Sequence, residues 1–575
     1  MTPVPPFRRA PLRRALAAFL SAAVALAALS VETPAFGQKP HAGDAKKKKA
    51  GATKAKTAKG AKPHPNNANA AHAGAAQAAP AAKKGDAPIE VKPIEVRIPV
   101  TRLTLDNGLR VVMNVDRTSP TVAIAVVYDV GARNEEKGRS GFAHLFEHMM
   151  FQGSKNVKKG EHMKLVTGHG GTLNGTTSSD RTSYFEVLPS NELALGLWLE
   201  ADRMASLDVS QDNFENQRKV VKEEYRARIS NAAYVPSALR LEELVFQGYW
   251  PYEHPAIGTM ADLDGAQLDW VKDFHARYYG PNNAVLTIAG DFDEAEATAL
   301  VRKYFDKIPK IQVTPFTDAP VPEQTSQRTA VVKDEHARSP AVLYGWRAPK
   351  MREPGAYALD LAAIVLGGGE SSRLHQLLVR DKAVVQDVSA HLSARRGPGV
   401  FEIDAKLTPE AKTGDVEKLI DGVVKDLVAK GPTAEEMAKA QMRAQSRQIF
   451  GLQTNGARAR MLAEYELFFG DAGLLAGEAA RYLAVTADDV KKAAAEHLAV
   501  TKRTVVETYP LEEGGSDKKP KGAAQDGSAQ KTAPAAHDGG AKKGAPAKAG
   551  DAKKKAPADK KKGEGAKAKK KKGSP

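Results

Sequence analysis

Residues able to build a hydrophobic core are confined to the middle of this chain. From Gln38 to Glu90, and again from Glu513 to Pro575, the sequence is Ala, Lys, Gly, Pro and small polar residues, almost without large apolar side chains. Such stretches cannot repay the entropy of ordering. Residues 38–90 are therefore read as a disordered tether and 513–575 as a disordered Lys-rich tail. Residues 1–37 open with Arg8, Arg9, Arg13 and Arg14, run apolar from Ala15 to Leu29, and reach small residues at Ala35 and Gly37. That is the pattern of a cleavable export signal, and its apolar run falls short of the roughly 20 residues that span a bilayer. The expected location is periplasmic or secreted, with folding left to residues 91–512.

Charge divides along the same lines. The tail carries 18 Lys against 7 acids, the tether 11 against 3, and the first 37 residues 4 Arg against Glu32, so an overall +17 leaves the body at about −5. Basicity belongs to the ends, which suits contact with an anionic surface better than nucleic acid. The chain has 0 Cys, which excludes disulfides, thiol catalysis and cysteine-bound metal. Any metal must be held by His and carboxylates.

Within the body, Arg102–Leu105 and Leu109–Asn114 alternate like strands around Asp106-Asn107-Gly108, a hairpin signal, and Thr121–Val130 is a third strand-like run. Gly171–Leu188 reads as two more strands, with helices at Gly160–His169, Glu192–Ser206 and Gln211–Ser230. One unit is used twice. A helix at Leu268–Tyr279 leads into a strand at Asn283–Ala289, as Thr486–Leu498 leads into Arg503–Tyr509. The second half opens with a strand, Ala341–Trp346, and a helix, Gly355–Leu366. The proline-rich, polar stretch 313–339 reads as a linker. The expected fold class is α+β: two related domains, 91–312 and 340–512.

The chemistry is concentrated in Gly141-Phe-Ala-His144-Leu-Phe-Glu147-His148-Met-Met. On a helix His144 and His148 stand at i and i+4 with Glu147 beside them, so all three can converge on one ion. Two neutral imidazoles suit zinc, and a carboxylate that is not a ligand can take a proton from water. The order H-x-x-E-H inverts the commoner H-E-x-x-H. A third ligand is needed, and Glu215, Glu223 and Glu224 on the helix at Gln211–Ser230 are candidates. Adjacent helical residues point about 100° apart, so Glu223 and Glu224 cannot both face inward; spacing alone does not choose between them. His162, His169, His254 and His375 are read as ordinary surface or core histidines.

With these motifs the chain resembles the pitrilysin/insulinase family of metallopeptidases, in its half-size branch, over about residues 97–510. The family's glutamate, about 76 residues after H-x-x-E-H, falls on Glu224. The resemblance implies one Zn2+ per chain held by His144, His148 and Glu224, with Glu147 as general base. It further implies that Asn174, Gly175 and Thr176, in Gly171-Thr-Leu-Asn-Gly-Thr-Thr, belong to a strand that receives substrate at a sheet edge. Leu366-Gly-Gly-Gly-Glu-Ser-Ser-Arg373 resembles a turn and helix of the second domain; without a Lys-Ser/Thr pair it is not a phosphate loop. The implied architecture is two homologous α/β-roll domains forming half of a peptidase clamshell. Two departures stand out. A glutamate common in the family is Gln217 here, and an Arg-Tyr pair that steadies the reaction intermediate survives only as Arg380, with Asp387 in the tyrosine's place. A homologous partner subunit supplying that pair is therefore expected. The function implied is an exported zinc endopeptidase acting on unfolded peptides. The rival readings are a non-catalytic scaffold subunit and a surface-binding protein that works through its tails.

Overall fold

The computed structural model describes residues 91–511; the signal, tether and tail readings lie outside the described residues. The first half forms a six-stranded sheet from β1 (Thr101–Thr104), β2 (Arg110–Val115), β3 (Thr121–Tyr128), β4 (Thr172–Thr177), β5 (Thr182–Pro189) and β6 (Ala284–Gly290), in the order β1-β2-β6-β3-β5-β4. The Asp-Asn-Gly turn joins β1 to β2 as an antiparallel hairpin. Gly108 takes φ +86°, and Asn107 anchors the turn by donating to the carbonyls of Phe305 and Ile308 at 2.8 and 3.0 Å. β3 is buried on both faces, which is why it reads as a continuous apolar run rather than an alternation.

The second half repeats the plan in five strands: β7 (Arg328–Asp334), β8 (Ala341–Lys350), β9 (Val385–Ser393), β10 (Pro398–Leu407) and β11 (Thr504–Pro510), ordered β7-β11-β8-β10-β9. In each half the last strand slides in beside the first strand of the repeat and parallel to it, β6 along β2 and β11 along β7. The fold class is α+β, built on two such sheets. One expectation is corrected here. The stretch 313–339 is not wholly a linker, because Arg328–Asp334 is β7, an edge strand of the second sheet. It alternates between half-buried and exposed residues and carries Arg328 and Lys333, so its own pattern is faint. The repeat required it, as the counterpart of β2.

Each sheet has one face packed against helices of its own half and the other against a helix from the opposite half. Behind the first sheet lies the helix Asn455–Phe469, whose Leu462, Ala463 and Leu467 bury against Val112, Val127 and Val285, while Ala459 meets Ala123, Ala125 and Ala289. Behind the second sheet lies the helix Val235–Val245, with Leu241, Leu244 and Val245 against Leu343, Val400 and Val506. Polar contacts fix the register of the first exchange: Asn455 donates to the Thr121 carbonyl at 2.9 Å and Arg458 to Asp116 at 2.5 Å. The polypeptide divides at 313–339 in sequence, but the described halves form one interlocked body. Leu462→Ala or Leu241→Ala should cost about 2–5 kcal/mol, typical of a buried Leu cut to Ala. Urea unfolding should show a single shifted transition for either variant; two separated transitions would contradict the exchange.

Candidate metal centre

The site helix, Phe142–Met149, is buried along its whole length. Such a helix needs its free N-terminal N–H groups satisfied from within the protein. Glu135 does this, accepting from the N–H of Gly141 at 2.9 Å and of Ala143 at 2.7 Å. Its charge also suits the positive end of the helix dipole. Burial raises the Glu135 carboxyl, opposed by His254 and the two N–H donors. His254 Nε2 lies 3.0 Å from Glu135, and its ring stacks on Trp250, whose Nε1 donates to the Glu135 carbonyl at 2.6 Å. Gly141 takes φ +87°, and a Cβ there would sit 2.6 Å from the Ile257 carbonyl oxygen, so the helix can start at this point only from glycine.

The third ligand candidate comes from the helix Gln211–Tyr225, which continues as a π-helical turn, Arg226–Ser230. Of the three glutamates considered, Glu215 pairs with Arg218 at 2.7 Å, and Glu223 is exposed and pairs with Arg226. Glu224 turns inward. Its Oε2 lies 3.1 Å from His148 Nε2 and 3.8 Å from His144 Nε2, and its Oε1 is held by Arg228 at 2.9 Å. Gln217, two turns earlier, is buried and hydrogen-bonds His148. The glutamine thus keeps a grip on the ligand-bearing ring without adding charge.

Three ligand atoms, one each from His144, His148 and Glu224, lie within 4.8 Å of one another. Both ring nitrogens of His144 are buried without a hydrogen-bond partner, and Oε2 of Glu224 has only the imidazoles beside it, a costly arrangement unless something polar sits between them. Two imidazoles and a carboxylate are a zinc-type donor set. Burial, helped by His148, drives His144 down to about 3, leaving the neutral, ligating form. Burial opposes the charges on His148 and Glu224 as well, yet their mutual contact outweighs it, raising the imidazole and lowering the carboxyl. The residues present fit a divalent ion.

Glu147 lies next to the three without joining them. Burial pushes its carboxyl up to about 7, against His148 and a hydrogen bond from Thr177 Oγ at 2.5 Å. Thr177 stands on β4, the edge strand of the first sheet. On the same face, a Cβ on Gly175 would come within 2.9 Å of Glu147 Cγ. Thr176 faces the other way, its hydroxyl held by Arg181 at 2.7 Å, and Asn174 accepts from the Gly175 N–H at 2.9 Å. Elsewhere, Arg380 donates to Gln376, and Asp387 stands opposite Lys406 in the register of β9 and β10. Sequence reading passed over Glu135 and Arg228, and took Thr177 only as the end of the strand motif without giving it a role. Glu135 was signalled by an acid just before a buried helix, and Arg228 by its i+4 spacing from Glu224; the strand motif placed Thr177 but carried no sign of its contact with Glu147.

The sequence of this α+β body is similar to zinc proteases over most of its described part. The model of Insulinase (Peptidase family M16) matches residues 110–248, and that of the Peptidase M16 inactive domain matches residues 266–444. The zinc protease PqqE of Helicobacter pylori is 31% identical over 411 residues, covering 71% of this chain and 92% of the relative. A crystal structure of a protease from Helicobacter pylori superimposes with a TM-score of 0.67 at 30% identity, covering 72% of this chain and 100% of that one. The periplasmic protease PqqL from Escherichia coli, 17% identical with a TM-score of 0.61 over 72% of this chain and 48% of its own, shares the fold. The chain belongs to the insulinase family of peptidases. Its second half, 340–512, has no H-x-x-E-H of its own.

Removing the buried Glu135 charge should loosen the site helix. Glu135→Gln is expected to lower stability by about 1–3 kcal/mol, the range for a buried hydrogen-bonded charge. Urea denaturation checks this, and an unchanged midpoint would remove Glu135 as the anchor.

Proposed function

We propose that this protein is an exported zinc-dependent endopeptidase that hydrolyses unfolded peptides. The observation that carries the reading is the convergence of His144, His148 and Glu224 beside Glu147, with buried donor atoms left over for an ion. The zinc protease names of relatives support the metal and the reaction class, and the export signal together with a periplasmic neighbour in fold supports the location. A bound zinc would supply a Lewis acid for the scissile carbonyl and ease deprotonation of water. Glu147 takes the proton from the attacking water and returns it to the leaving amine. Thr177 steers the carboxylate, and Gly175 leaves it room to approach the edge strand. A substrate in extended form adds to β4 as a further strand, placing its backbone beside Glu147.

Asp387 in place of a tyrosine after Arg380 favours a homologous partner subunit that contributes the missing pair. The Lys-rich ends serve as tethers toward an anionic surface. A scaffold role is disfavoured by the completeness of the four-residue set, because a subunit without catalysis has no need of Glu147 beside the ligands.

Glu147→Gln should keep its zinc and lose peptide hydrolysis by at least about a hundredfold, the usual contribution of a general base. Turnover at the wild-type rate would remove Glu147 from the reaction. Glu224→Ala should lose zinc as well, read by metal analysis. Deleting 513–575 should leave peptide hydrolysis intact; lost hydrolysis would move the tail into the catalytic function.

A further inference from the structure

A second cluster of metal-ligating side chains sits deep in the first half, outside the site described above. His162, on the helix Glu161–Gly168, meets Glu186 in the middle of β5 and Glu200 on the helix Leu193–Ser206. One ligand atom from each lies within 4.8 Å of the others, and His162 Nε2 is 3.5 Å from Glu186 Oε2. Exposures are 4%, 1% and 1%, so the cluster is sealed from solvent. Phe151 packs beside it, its ring 6.3 Å from that of His162, and also lies against Gly175, where a Cβ would come within 3.1 Å of the Phe151 ring and 2.9 Å of Glu147 Cγ.

Hydrogen bonding is incomplete there. Arg203 holds Glu200 through Nε at 2.9 Å and through Nη2, so the charge of Glu200 is answered. Glu186 faces the same guanidinium but receives no hydrogen bond from it. Both oxygens of Glu186 and Nε2 of His162 are buried without a hydrogen-bond partner, an unfavourable arrangement for polar atoms sealed from water. A tetrahedral ion with bonds of about 2.0–2.2 Å holds its ligand atoms about 3.3–3.6 Å apart, which is the spacing seen between His162 and Glu186.

We propose that His162, Glu186 and Glu200 form a second divalent-cation site, structural rather than hydrolytic, suited to zinc or an ion of similar size. The ligand set is one imidazole and two carboxylates, and burial drives His162 down to about 3, its neutral, ligating form. A proton is the rival occupant, since burial raises the Glu186 carboxyl to about 8. It would cap one oxygen of Glu186 and leave the other bare, whereas an ion between the side chains engages His162 and Glu186 together. The charged neighbours facing the pair are Arg203, Glu200 and Asp202 on the helix Leu193–Ser206. The ion would pin β5 to two helices behind β4, bracing the edge strand that lies against Glu147. The chain would then hold two ions instead of one.

The test is metal content per chain by mass spectrometry on the purified full chain after equilibration with zinc and gel filtration. Two ions are expected in the wild type, and one in His162→Phe, in Glu186→Gln and in His148→Ala. The near-isosteric Glu186→Gln guards against misfolding of the other variants. In His148→Ala, chelator should still lower the melting temperature, because the remaining ion is structural. One ion in the wild type, lost in His148→Ala and kept in both cluster variants, would overturn the second site while leaving the first standing. No ion in the wild type would overturn both.

Discussion

The first sheet has two apolar faces, and its own half of the chain covers only one. The helix Asn455–Phe469 closes the other, and the helix Val235–Val245 returns the arrangement on the second sheet. Everything at the metal centre depends on that reciprocal cover. β3 and β6 can be apolar on both sides only because Leu462 and the small residues Ala123, Ala125, Ala289 and Ala459 seal the back. A sheet covered on both faces is stiff, and a stiff sheet lets β4 present Gly175 and Thr177 to Glu147 at fixed distance. The exchange also ties the two halves together without a wide interface between finished domains.

Burial of the site helix sets a second constraint. A fully buried helix that carries two imidazoles and a carboxylate has no solvent to satisfy its N-terminus or its side chains. The protein answers with Glu135 at the N-terminus, Arg228 on Glu224, Gln217 on His148 and Thr177 on Glu147. Arg228 takes Oε1 of Glu224 and leaves Oε2 facing the two imidazoles. After this accounting the two ring nitrogens of His144 have no partner and Oε2 of Glu224 has only the imidazoles beside it, and in the proposed reading these atoms would hold the ion. The same bookkeeping, applied to His162 and Glu186, leads to the cluster behind β5.

Much of the fold was legible because its signals are local. The Asp-Asn-Gly turn, the unbroken apolar run of β3, and the helix-then-strand pattern at 268–290 and 487–510 each follow from steric and burial preferences read over a few residues. β7 was missed because an edge strand half exposed to solvent alternates weakly and sits in a proline-rich stretch; only the repeat implied it. The choice among Glu215, Glu223 and Glu224 lay beyond spacing, since a helix tells which residues share a face but not which face meets another helix. His162 and His254 looked alike as isolated histidines. In the fold, His254 braces Glu135 and His162 meets Glu186, contacts spanning 119 residues in one case.

By itself the sequence determined where a core can exist, that it is built from two copies of one α+β plan, and that His144, Glu147 and His148 share a helical face. Those facts follow from composition and from helical and strand periods, which act over a turn or two of chain. Only the tertiary structure decided that the halves trade helices, that Glu224 alone of its neighbours turns to the imidazoles, and that Gly175 and Thr177 meet Glu147. These depend on contacts between residues far apart along the chain, whose geometry is set when whole faces are buried together.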